Sequence, residues 1–202
     1  MAETVFSVKK IKKFRLQPRA QAVMRNLRAL SENAQATPEL EKAVETEIRS
    51  VASSLETAAL YATFSPDACP TGLASVRPGE GERPPLSLTL FAATVGVGLE
   101  EEIARALARG EALRSRVLTA LGEELADQAG QFVARLINEE AKDDAFELSD
   151  RRPLTSLDEQ KTLLDTLDAA RIPLSFDAGG HLTPRFSRLG YVLWWPPSKK
   201  RS

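Results

Sequence analysis

Apolar positions between residues 86 and 141 predict a strand followed by two helices. Leucines recur at every second position along 86–93, so this strand is expected to be buried at least on its leucine side. Gly96 and Gly98 permit a turn into a helix that Gly110 ends. The residues expected to share the leucine side are Leu86, Leu88, Leu90 and Ala92. A longer helix is expected over 111–140, with a broad apolar face made of Leu113, Val117, Leu121, Leu125, Phe132 and Leu136.

The longer helix also carries a line of small residues at four-residue spacing. A glycine inside a helix costs roughly 1 kcal/mol relative to alanine. Two glycines on one line therefore indicate that another backbone or a flat ligand approaches closely, and close packing is the favoured interpretation. The residues of this small-residue line are Gly122, Ala126, Gly130 and Ala134.

Three further helices are predicted by apolar residues three or four positions apart. The first covers 18–30, the second begins at the N-cap Thr37 and continues to about residue 60, and the third covers 157–170. Thr155 or Ser156 is expected to cap the third helix. Short strands are expected at 4–8, 61–64, 172–176, 181–184 and 191–195, with a proline-rich loop over 65–85.

Composition and charge argue against several classes of protein. The chain has 202 residues, 43% of them hydrophobic, and a formal net charge of −1, so nothing in its overall charge demands a nucleic acid or a membrane. One cysteine and one histidine make an internal disulfide impossible and a Cys/His zinc site very unfavourable. No apolar run of membrane-spanning length and no signal-peptide core occur. A cytoplasmic protein is expected.

A basic stretch at residues 9–19 allows two interpretations. Its six lysines and arginines would suit an arm that binds phosphate. They would equally suit a solvated strand at the edge of a sheet, where lysines discourage pairing with other chains. The second interpretation is favoured because Ile11, Phe14 and Leu16 interleave as a buried face would.

Three consecutive acids, Glu100, Glu101 and Glu102, also allow two interpretations. They could form a metal-binding or acid–base cluster. They could instead be the negative charges that the dipole favours in the first turn of a helix, which is the preferred interpretation. They argue against a phosphate loop at Gly96 and Gly98. We find no triad, metal set or phosphate loop, and hence no independent catalytic constellation.

Several of these motifs, in this order, resemble the activation (reactivation) domain of vitamin B12-dependent methionine synthase. They include 90–96 (LFAATVG), Leu99-Glu100 opening a helix, and the long helix with Gly122 and Ala126. The C-terminal part is similar too, through 157–161 (LDEQK), 172–175 (IPLS) and 182–187 (LTPRFS).

The resemblance implies an α/β (α+β) fold with a mixed, largely antiparallel twisted sheet and several packed helices. It implies a single domain over 1–196, with N-terminal helices at about 18–60 and a core at about 86–195, followed by a basic tail at 197–202. The family binds S-adenosylmethionine and docks on a cobalamin-binding domain during reductive remethylation, with a flavoprotein as electron donor. A stand-alone relative is expected, which would meet cobalamin only through its partner protein.

One motif departs from the family. The family carries Arg-aromatic-Ser-Pro-Gly-Tyr shortly before the helix at 157, and this motif holds S-adenosylmethionine. A count without gaps places Ser149 on the motif serine and Glu147 on the arginine, which replaces a cation with an acid. A gap of a few residues would let Arg151 or Arg152 substitute. The residues that the resemblance implies for ligand binding are Ser149, Arg151, Arg152, Pro184, Arg185 and Ser187.

Three functions follow as hypotheses. The first is an auxiliary protein of a corrinoid methyltransferase that binds S-adenosylmethionine. The second is a binding or scaffold module of the same fold that has lost this ligand, as Glu147 suggests. The third, nucleic-acid binding through the basic stretch at 9–19 and the tail, is disfavoured by the near-neutral charge.

Overall fold

A computed structural model describes residues 7–30, 37–73, 76, 83–143 and 145–197. Antiparallel strands form its main sheet, in the order β1 (Lys9–Lys12), β2 (Ala58–Phe64), β3 (Ser87–Thr94) and β8 (Ser187–Trp195). Two short strands, β4 (Glu147–Leu148) and β5 (Arg152–Pro153), pair with the free side of β8. The predicted fold class, a mixed α/β fold with a largely antiparallel sheet, is confirmed.

Two hydrophobic cores lie on the two faces of this sheet, and β3 contributes to both. Leu88, Leu90 and Ala92 point into one core, while Phe91 and Ala93 point into the other. The predicted burial of the leucine side is confirmed, and the opposite side is buried as well. Leu86, predicted to belong to the leucine side, precedes the strand and is 49% exposed.

Four helices cover the first face: α1 (Ala20–Leu30), α2 (Pro38–Val51), α3 (Gly98–Ala108) and α4 (Ala112–Asp143). The predicted cap of α2 is confirmed, because the Thr37 hydroxyl accepts a hydrogen bond from the Leu40 N–H. The predicted end of α2 near residue 60 is wrong. The helix ends at Val51, a 3₁₀ turn follows, and residues 58–60 begin β2, where their backbone pairs with β3.

The helix pair after β3 begins and ends close to its predicted bounds. Gly96 has a φ of +84° and Gly110 a φ of +73°, the left-handed region that glycine adopts most easily. Val117, Leu121 and Leu125 are buried as predicted, and Phe132 and Leu136 are partly buried. Leu113 is 55% exposed, contrary to prediction, because it lies at the first turn of α4 before the helix passes over the core.

The second face is covered by α5 (Leu157–Thr166) and a small hairpin, β6 (Ser175–Phe176) and β7 (Leu182–Thr183). Ser156 is the N-cap residue of α5, but its side chain makes no capping hydrogen bond within the described chain. The hairpin and its turn agree with prediction: the Asp177 carboxylate accepts hydrogen bonds from the backbone N–H groups of Gly179 and His181. Part of the predicted strand at 4–8, part of the predicted loop at 65–85 and most of the basic tail lie outside the described residues.

Candidate functional site

Ser149 lies between β4 and β5 and is held by the backbone of β8. Its N–H donates to the Leu193 carbonyl at 3.0 Å, and its hydroxyl oxygen accepts from the Leu193 N–H at 3.0 Å. The hydroxyl also donates to the Asp150 carbonyl at 2.7 Å. The Ser149 hydroxyl therefore takes the place of a backbone carbonyl in pairing with β8. Its bond to Asp150 helps to position residues 150–152.

Arg151 extends from this edge over the middle of α4. Its guanidinium lies directly over Gly130, where a side-chain carbon would collide with Nη1, and the Cβ of Arg188 is the next neighbour. The side chain is half-buried, yet it makes no hydrogen bond or ion pair with the described part of the chain. A guanidinium carries five donors, so Arg151 presents unused donors beside a helix surface.

Glu147 and Arg152 occupy different places from Arg151. Glu147 is exposed and pairs with Trp195, whereas Arg152 pairs with Tyr191, so about 13 Å of β8 separates their positions. The Arg152 carbonyl packs against Gly190, where any side-chain carbon would collide with it. Of the residues weighed for the family's arginine, Arg151 is the one that lies over α4.

Pro184, Arg185 and Ser187 lie at the other end of β8. Ser187 is buried, and its hydroxyl bonds the Thr94 hydroxyl at 2.9 Å and donates to the Pro184 carbonyl at 2.6 Å. The Arg185 side chain is exposed and lies 4.8 Å from the centre of the Phe186 ring. Six residues of strand, about 20 Å, separate Ser187 from the partner of Ser149, so these two serines are not brought together. The Arg151 side chain does reach the neighbourhood of Arg188, which follows Ser187 on β8. Their role in ligand binding stays a prediction.

Arg188 is a charged residue of this region that the sequence analysis did not single out. Its Nη2 contacts Glu123 at 2.8 Å and its Nε contacts Asp127 at 2.8 Å, both on α4. Burial lowers the pKa of Arg188, but the hydrogen bonds to Glu123 and Asp127 outweigh this effect and raise it. Arg188 is thus fully occupied in tying β8 to α4.

The small-residue line of α4 is a packing surface for side chains. Gly122 faces the fully buried ring of Phe186, and Gly130 faces Arg151. This supports the favoured interpretation of close packing, although side chains, not a second backbone, approach the glycines.

A cavity of about 700 Å³ opens between residues 15–19 and the outer surface of α4. Three arginines contribute to its wall, and no acidic residue is among those that line it. The lining residues are Arg15, Leu16, Gln17, Arg19, Gln128, Gln131, Ala134, Arg135 and Asn138. Ala134 of the small-residue line is among these residues, one helical turn beyond Gly130, and Arg151 is not.

The basic stretch at 9–19 thus has two parts. Lys9–Lys12 form the edge strand β1, which confirms the edge-strand interpretation for these residues. Ile11, Phe14 and Leu16 pack against the core, as their interleaved positions predicted. Residues after β1 run back over α4 and reach the cavity, which no local sequence pattern predicts.

Glu100, Glu101 and Glu102 lie in the first turns of α3, and each contacts another group of the chain. Glu100 accepts a hydrogen bond from the backbone N–H of Arg185, which ties α3 to the segment before β8. Glu101 and Glu102 contact Arg105, and Glu102 also contacts Arg114. No group of acids, histidines and cysteines in the described residues could hold a metal ion. Among the same residues, no helix combines the length and hydropathy that crossing a membrane requires.

Comparisons with known proteins support the fold. No protein-family model matches the chain, and no curated protein matches it by sequence. Among solved structures, it is similar to the crystal structure of the MetH reactivation domain bound to AdoHcy, with a TM-score of 0.64 and 14% sequence identity. The match covers 98% of this chain and 82% of that one. This chain therefore shares the fold of the MetH reactivation domain.

Proposed function

We propose that this chain is an activation-domain-like auxiliary of a corrinoid methyltransferase such as methionine synthase, and that it binds S-adenosylmethionine. The observation that carries the proposal is the match to the reactivation domain, which extends over nearly the whole chain. In this role the chain would dock on a cobalamin-binding protein that a flavoprotein reduces. S-Adenosylmethionine would supply the methyl group there.

Arg151 is the residue best suited to hold the carboxylate of the methionine moiety. Arginine pairs with carboxylates through two parallel hydrogen bonds, and Arg151 has unused donors in a half-buried position. The neighbouring acids Glu123 and Asp127 are paired with Arg188, so the charge at Arg151 is not cancelled by them. These features support Arg151 as the partner of the ligand's carboxylate.

Isothermal titration of the full chain with S-adenosylmethionine and S-adenosylhomocysteine tests this role. We expect Arg151→Gln to weaken binding about ten-fold or more, the effect of one charge-assisted hydrogen-bonded pair. Arg25→Gln, at an exposed position on α1, is the matched control and should leave affinity unchanged. Absence of heat in the native chain, both alone and with a cobalamin-binding domain, would reject the ligand.

Docking on a corrinoid partner is tested separately from the ligand. A cobalamin-binding domain of methionine synthase, loaded with cobalamin, is mixed with the full chain and followed by sedimentation velocity and by the visible spectrum of the cobalamin. A complex whose spectrum differs from that of the free domain supports the proposal. Independent sedimentation of the two proteins contradicts it.

The second candidate is a module that keeps the fold but has lost S-adenosylmethionine. Two observations favour it: the hydroxyls of Ser149 and Ser187 are committed to internal hydrogen bonds, and Glu147 stands at the motif arginine in a count without gaps. The combined change Glu147→Arg, Asp150→Pro, Arg151→Gly and Arg152→Tyr should then create binding that the native chain lacks. Tight binding by the native chain would exclude this candidate.

A further inference from the structure

The arginine-lined cavity between residues 15–19 and α4 lies outside the residues proposed to bind S-adenosylmethionine. We propose that it binds a small molecule carrying two or more phosphate groups. The cavity measures about 700 Å³, within the range of sites that hold nucleotide-sized ligands. This inference is independent of the proposed function, because it rests on the cavity wall and not on the fold match.

The wall of the cavity is held in place by contacts that span the chain. The Gln17 N–H donates to the Gln128 side chain at 2.9 Å, and the Gln128 amide donates back to the Gln17 carbonyl at 2.8 Å. On the other side of the segment, the ring of Phe14 stacks on Phe132 with centroids 4.2 Å apart. The irregular segment is therefore fixed to α4 before any ligand arrives, which lowers the entropic cost of binding.

The charge of the cavity is positive and only partly compensated. Glu124, 3% exposed, accepts hydrogen bonds from Arg19 Nε at 3.2 Å and from the Gln128 amide at 2.7 Å. This orients the Arg19 side chain and leaves its terminal nitrogens without a partner among the described residues. Arg15 and Arg135 likewise make no hydrogen bond or ion pair with the described chain. Three exposed arginines thus line one cavity, and the buried carboxylate of Glu124 pairs with one of them.

This arrangement favours phosphate over the other ligand classes. Guanidinium groups pair with phosphate through two hydrogen bonds, and several of them around one cavity match a ligand with several charges. Gln131 and Asn138 add neutral donors and acceptors to the same wall, suited to hydroxyls or a base edge. S-Adenosylmethionine, with its sulfonium and ammonium groups, is a net cation and fits this wall poorly.

Isothermal titration of the full chain with inorganic pyrophosphate, inorganic triphosphate and ADP tests the proposal, with citrate and S-adenosylmethionine as comparison ligands. Binding of the phosphate probes should be saturable and should weaken about ten-fold in Arg15→Gln and in Arg135→Gln. Arg116→Gln removes the same charge from an exposed position of α4 outside the cavity and should leave affinity unchanged. Urea unfolding of each variant confirms that it is folded.

Three results would overturn the proposal. They are the absence of saturable binding by any phosphate probe, an equal loss of affinity in Arg116→Gln, and citrate binding as tight as that of triphosphate. The outcome is distinct from that of the proposed function, since S-adenosylmethionine binding depends on Arg151 and phosphate binding on Arg15 and Arg135.

Discussion

Gly122 and Gly130 lie on the same line of α4, and the structure predicts opposite effects when each is changed to alanine. Alanine is preferred to glycine in a helix interior by about 1 kcal/mol. Gly130→Ala should keep most of this gain, because the new methyl group meets the flexible end of Arg151, which can move. We expect it to stabilise the protein by about 0.5–1 kcal/mol.

Gly122→Ala meets a different neighbour. Its methyl group would lie within 3.0 Å of three ring carbons of Phe186, which is fully buried and cannot move aside. Overpacking of a core costs about 1–3 kcal/mol, which exceeds the helix gain and leaves a net loss of about 1 kcal/mol. The two variants should therefore differ by about 2 kcal/mol in the free energy of unfolding.

Urea denaturation followed by circular dichroism measures this difference. With an m-value near 2 kcal/mol/M, the midpoints of the two variants should lie about 1 M apart. In a Phe186→Leu background, which removes the ring, Gly122→Ala should cease to destabilise. An equal rise of the midpoint in both alanine variants, with Phe186 unchanged, would contradict the tight packing of Phe186 on Gly122.

Three further predictions concern single contacts. Glu124→Ala should lower the free energy of unfolding by about 1–2 kcal/mol in urea denaturation, because two hydrogen bonds to a buried carboxylate are lost. The exposed Glu139→Ala should change it by less than about 0.5 kcal/mol. The pKa of Asp177 lies below its ordinary value of 3.8, chiefly because of the hydrogen bond from the His181 N–H. The ionised carboxylate should therefore stabilise its turn at pH values above 3.8. This stabilisation should be lost as the pH falls through the lower pKa of the folded state, and shifts of the His181 amide signal in NMR spectra would report the loss. Gly190→Ala should lower the free energy of unfolding by about 1–3 kcal/mol and detach β5 from β8, because the new methyl group would meet the Arg152 carbonyl of β5. Urea unfolding measures the loss of stability, and faster amide exchange in β5 reports its detachment.

Local patterns predicted the elements whose residues interact mainly with near neighbours. Thr37, the turn after Asp177 and the alternation along β3 each follow from a rule that needs only a few residues. The end of α2 was predicted wrongly because residues 58–60 are apolar on both faces. A short apolar run of this kind is compatible with both a helix and a buried strand, and only pairing with β3 decides between them.

The candidate site was less predictable because its contacts join distant parts of the chain. Arg151 was one of two arginines considered, and its position over Gly130 depends on how β5 pairs with β8. The cavity depends on contacts between Gln17 and Gln128, which are 111 residues apart. The role of Arg188 could not be predicted from the sequence, since a single arginine in an aromatic strand does not indicate which acids of α4 it will contact.

The position of β3 has a consequence for how the protein unfolds. Leu90 belongs to one hydrophobic core and its neighbour Phe91 to the other, so neither core can be lost while β3 stays in place. Cooperative unfolding of both faces is expected, with coincident transitions for probes on either side of the sheet. The amide hydrogens of β3 should accordingly be among the slowest in the molecule to exchange with solvent, released only when the whole chain opens.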